Sequence, residues 1–207
     1  MKRTSHSVMN LSMNTAGVSQ KKIITISLLL IAWSAAWRIA YHYQSKDNIL
    51  MEVFSLDDLW YDTRAGEILT GDWPLDESYE RGPLYPYFLA GIYTIWGHSP
   101  NVVRIIQHGL GTLQTLLIFL IALKLLPFRW AVFTGLAAGC HGTFVMLEGE
   151  ILIESLALFL VTSSLAAIYL PAKPNYGMLF LSGAFAGLAC VGRPNILLVP
   201  PLIILWI

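Results

Sequence analysis

The chain has 207 residues, of which 56% are hydrophobic and 13% charged, with a mean hydropathy of +0.60. Soluble domains carry about a quarter charged residues, so a water-surrounded globule is excluded, and segments able to cross about 30 Å of hydrocarbon are expected. A net charge of zero removes any global electrostatic case for nucleic acid, and Cys140 and Cys190, both inside apolar runs, read as small core residues.

Residues 1–22 are polar and aperiodic and read as a disordered cytoplasmic tail. Lys21-Lys22 then precedes a first span at 23–40, too long for a cleaved leader and without a cleavage site. Arg38, near its far end, is expected to snorkel. Residues 41–104 form an outer loop in which 83–97, with only about 15 apolar residues, reads as an interfacial helix rather than a span. Further spans are expected near 105–123, 130–147, 151–170, 176–191 and 196–207. This arrangement puts Lys2, Arg3, Lys21, Lys22, Lys124, Arg129 and Lys173 on the cytoplasmic side. Of the 13 acidic residues, ten lie between Asp47 and Glu80, and the others are Glu148, Glu150 and Glu154. All then face one outer compartment or its edge. The pairs Gly135/Gly139 and Gly183/Gly187 allow close helix packing. The fold class is therefore all-α: a polytopic transmembrane bundle with a large first outer loop containing short interfacial helices.

Three groups could carry chemistry. Asp57 and Asp58 open a stretch with helical patterning, where adjacent carboxylates also serve as simple caps. Glu150 and Glu154 are four apart and so would share one helical face. Glu154 lies inside an apolar run and needs a partner, such as Arg81, Arg193, a metal or a substrate. Arg81, where the loop returns to the membrane, and Arg193, in the break GRPN, are natural bidentate partners for a phosphate. His42 and His108 read as satisfied interface or bundle residues. These residues suit a lipid-borne phosphate donor, a divalent cation or a proton-coupled transporter.

The order DDLWY, GDWP, ERGPLYPYFLAGIY, the acidic-apolar segment at 147–159 and GRPN resembles the N-terminal half of GT-C superfamily membrane glycosyltransferases. The nearest group is the dolichyl-phosphate-mannose protein mannosyltransferase and aminoarabinose transferase-like one, over residues 21–207. That resemblance implies an enzyme of the plasma (inner) membrane, its active face outside, moving a hexose or pentose. The donor would be a polyprenyl-phosphate sugar and the acceptor a lipid, glycan or protein. Asp57 would be the first-loop carboxylate that orients or deprotonates the acceptor, supported by Asp58. Tyr61 and Gly71-Asp72-Trp73 would shape the loop, and Arg81, with Arg193, would bind the donor phosphate. Here Gly82-Pro83 replaces the proline pair of relatives. Glu154 fits the second acidic position best, with Glu150 as competitor. No cofactor is required; a divalent cation, if any, would use Asp57 and Glu154. Relatives continue for several more spans, so a fragment or a short, inactive form is expected. A transporter and a non-catalytic membrane protein are the rival readings.

Overall fold

The computed structural model describes residues 18–46, 48, 56–72, 81–171, 173 and 175–201. Most of the expected tail, acidic Asp47, Glu52, Asp76, Glu77 and Glu80, Trp73, and the last six residues of the final expected span lie outside the described residues.

All regular structure among the described residues is helical: α1 (Gln20–Ser45), α2 (Asp57–Thr70), α3 (Leu84–Trp96), α4 (Pro100–Leu125), α5 (Phe128–Gly139), α6 (Gly142–Gly149), α7 (Ile153–Tyr169) and α8 (Tyr176–Gly192). A 3₁₀ turn follows at Pro194–Leu198. Among the described residues, three segments are long and apolar enough to cross a membrane: α1, α4, and α5 with α6 taken together. At 1.5 Å per residue, α1 and α4 are each about 39 Å long, enough to clear the hydrocarbon core. By the same measure α3 is only about 20 Å.

Helix α4 is the central strut, packing on α1, α5, α6 and α7. α1 turns one narrow face to the bundle, burying Leu30, Ser34 and Arg38 at four-residue spacing, and exposes Leu28, Leu29, Trp33 and Trp37. The glycines of α5 set that contact. A side chain on Gly135 would press on Leu30, and one on Gly139 would press on Trp33. Trp33 Nε1 donates to the Leu136 carbonyl at 3.2 Å. A side chain on Gly183 or Gly187 of α8 would meet nothing within 4 Å, so only the first of the two expected small-residue contacts is used.

Two local features depart from the sequence reading. Arg38 does not snorkel. It is 3% exposed and makes a two-pronged ion pair with Glu148, Nε to Oε2 at 2.7 Å and Nη2 to Oε1 at 2.6 Å. A guanidinium at this depth costs too much unpaired, and a carboxylate in the opposite wall is a closer partner than the interface. Gly111 makes the room, because a Cβ there would occupy the space of the Glu148 carboxylate. The cysteines are the second departure. Both are free, and Cys140 is exposed at the break between α5 and α6, so it is not a core residue.

The loop helices form a second layer. α2 packs on α3, and α3 touches α4 and α8. The Asp62 carboxylate joins α2 to the end of α3, accepting from Tyr93 Oη at 2.6 Å and lying 2.9 Å from His98 Nε2. Tyr61, Tyr85, Leu89, Tyr93, Ile151, Ile153 and Ala189 share one apolar core. This core ties the loop helices to the start of α7 and the end of α8.

Candidate active site at the loop and membrane junction

Helix α2 begins abruptly. Leu56 has φ 51°, an uncommon conformation for a branched apolar residue, and Asp57 and Asp58 occupy the first turn. No side chain caps this end, so the two carboxylates gain from the helix dipole but are not consumed as caps. Asp57 faces Arg81, with Oδ1 2.7 Å from Nη1. The angle lies outside hydrogen-bonding geometry, so the contact is Coulombic. The Arg81 guanidinium also lies over the rings of Trp60, at 5.2 Å, and Tyr61, at 5.9 Å.

Arg81 reaches this position because residue 82 is glycine. A Cβ on Gly82 would overlap the carbonyl oxygens of Val191 and Gly192, so the returning loop lies directly on the C-terminus of α8. The next residue after α8 is Arg193, which forms an ion pair with Glu154 in the first turn of α7. Both arginines bear on Tyr61. Burial pushes its phenol up, while Arg81 and Arg193 pull it down. Arg81, Arg193, Asp57, Glu154 and Tyr61 thus gather at one place. Oε2 of Glu154 has no hydrogen-bond partner among the described residues.

Asp58 faces the other way. Its carboxyl is pushed up to about 6, chiefly by burial and then by the negative charge of Glu150, with Arg104 opposing and Asp57 adding a little. Glu150 does not share a helical face with Glu154. It sits in an extended break (φ −93°, ψ 153°) between α6 and α7, so the i,i+4 relation expected from spacing does not exist.

That break would leave its carbonyls unpaired, which is costly away from water. Helix α4 supplies the donors: Arg104 Nε to the Gly149 carbonyl at 2.9 Å, and Gln107 Nε2 to those of Glu148 at 2.9 Å and Glu150 at 2.6 Å. Gln107 Oε1 accepts from Tyr85 Oη at 2.6 Å. None of these four side chains (Arg104, Gln107, Tyr85, Arg38) was singled out by the sequence as part of a site. The signal for Arg38 was legible, since a charge in an apolar run demands a partner. Nothing in the spacing of Gln107 announces its role.

As for a cation, Asp57 and Glu154 each hold an arginine, and no cluster of three or more metal-type ligands exists among the described residues.

A family model described as dolichyl-phosphate-mannose-protein mannosyltransferase matches residues 80–207. The match takes in Arg81, Tyr85, Gln107, Glu150, Glu154 and Arg193, and begins after Asp57, Asp58 and Tyr61. No curated protein and no solved structure matches the chain.

Proposed function

The chain belongs to the dolichyl-phosphate-mannose-protein mannosyltransferase family, and is thus a membrane glycosyltransferase by kinship; from that premise we propose how it works. The sugar comes from a polyprenyl-phosphate donor and passes to a hydroxyl on a lipid, glycan or protein at the outer face of the plasma (inner) membrane. One observation carries the reading: two half-exposed arginines, Arg81 at 36% and Arg193 at 45%, each held by one carboxylate beside the same tyrosine. A phosphate oxygen can displace the exposed Asp57 carboxylate from Arg81 and can reach the exposed part of Arg193 beside its Glu154 partner. Guanidinium groups suit that anion by geometry as well as charge.

In the reaction the bond between the sugar's anomeric carbon and the phosphate oxygen breaks, and the leaving phosphate gains negative charge. Arg81 and Arg193 stabilise that charge where it develops. The acceptor oxygen bonds to the anomeric carbon, and its proton must go to a base. The family resemblance favoured Asp57, which pairs with Arg81 until the donor displaces it. The raised proton affinity of Asp58 supports giving it the proton, because a general base works best near the operating pH. Asp57 then holds Arg81 in place before the donor arrives, and Tyr61 provides the ring on which Arg81 rests.

The test is equilibrium binding of sugar-free polyprenyl phosphate to the chain in lipid nanodiscs. Arg81→Gln and Arg193→Gln are each expected to weaken binding by about tenfold, a hydrogen-bonded charge contact being worth about 1.5–3 kcal/mol. Arg129→Gln, at the start of α5, should change nothing. Equal binding by all four proteins would remove the arginines from the donor site.

A further inference from the structure

We propose that Gln107, together with Tyr85, is a positioning residue that holds the break carrying Glu150 at a fixed place against the first turn of α2. The inference rests on the transferase reading for its catalytic meaning, but its geometry stands alone. Gln107 is fully buried, and its carboxamide has a single way to satisfy its neighbours. Both hydrogens of Nε2 go to carbonyls that no helix uses, those of Glu148 and Glu150, and Oε1 takes the Tyr85 hydroxyl proton. Reversing the amide would set an oxygen against two oxygens. The side chain therefore locks residues 148–150 in one register relative to α4.

Tyr85 carries the lock to the loop layer. Its ring packs edge-on against Tyr61 at 4.9 Å between centroids. Tyr61 in turn carries Arg81 and follows Asp58 by one helical turn. A chain of buried contacts thus runs from Glu150 through Gln107 and Tyr85 to the α2 turn that holds Asp58. The distance between the Glu150 and Asp58 carboxylates, and hence their mutual repulsion, is set by side chains that touch neither. The Arg38–Glu148 pair is buried as well, but it braces α1 against α6 rather than linking the break to α2.

The experiment uses the chain in nanodiscs with Tyr85→Phe, Gln107→Met and the double variant. Hydrogen exchange at the amides of residues 149–152 is measured beside donor turnover. Each single substitution should speed exchange there by about tenfold, Tyr85→Phe removing one buried hydrogen bond and Gln107→Met three, while the middle of α8 is unaffected. Turnover should fall in kcat more than KM rises, and the acid limb of the pH profile should move. The double variant should be no worse than the worse single, because both act through one chain of contacts. Unchanged exchange at 149–152, or additive losses in kcat/KM, would overturn the proposal. Accelerated exchange in a chain that consumes no donor would support the clamp and sink the transferase reading instead.

Discussion

Arginine is used in two ways, and burial separates them. Arg38 is sealed against Glu148, with His108 Nδ1 3.1 Å from the same carboxylate and the remaining Arg38 donors on Ser34 and the Gly139 carbonyl. Replacing it by methionine strands a carboxylate inside the bundle and should cost about 3–5 kcal/mol. Thermal unfolding in detergent would show it, and adding Glu148→Gln should recover much of the loss. Arg81 and Arg193 are exposed enough that Gln substitution should leave unfolding nearly unchanged while weakening donor binding about tenfold. At Asp58 the pH dependence follows from the sign of its shift. Because folding raises the carboxyl from 3.8 to about 6, the folded chain keeps this proton longer than the unfolded one. The group's contribution to stability is full below about pH 4 and is lost as pH rises through about 6. Asp58→Asn should therefore stabilise the chain above pH 6, by about 1 kcal/mol after solvent screening, with no gain at pH 4. Glu150→Gln removes a charge that raises this carboxyl, so the acid limb of turnover should move to lower pH.

The breaks between helices position the chemistry more than the helices do. Gly82 lets the loop lie on the end of α8, so Gly82→Ala should push Arg81 away from Arg193 and cost about 1–3 kcal/mol of overpacking. Donor binding and thermal unfolding together would register this, with Gly183→Ala, whose surroundings are open, as the silent control. Hydropathy and spacing gave the helical bundle and a helix beginning at Asp57. The same pattern placed Asp57, Arg81, Glu154 and Arg193 in one group, because charges that return repeatedly to a membrane boundary have few places to go. It failed where backbone geometry decides. An apolar run reads alike through a helix and through an extended break. The interruption at 140–141 was therefore hidden; a break between the runs 130–147 and 151–170 was expected, but not that it would hold Glu150 off the face of Glu154. Gln107 was hidden too, because a side chain that serves another segment's carbonyls leaves no trace in its own periodicity.

At the scale of the whole molecule, the three candidate spans and the family make the chain an integral membrane protein. The bundle, braced by α4, supports a loop layer whose carboxylates and arginines meet at its edge. We propose that this junction breaks the sugar–phosphate bond of a polyprenyl-phosphate sugar. Donor consumption in membranes tests it most directly, with a panel of radiolabelled polyprenyl-phosphate sugars offered to the chain, to Arg81→Gln and to Asp58→Asn. The account predicts that one donor is consumed by the unaltered chain, and at least about 100-fold more slowly by either variant. Folded chain that consumes no donor in membranes containing native acceptors, or variants that match it, would contradict the account.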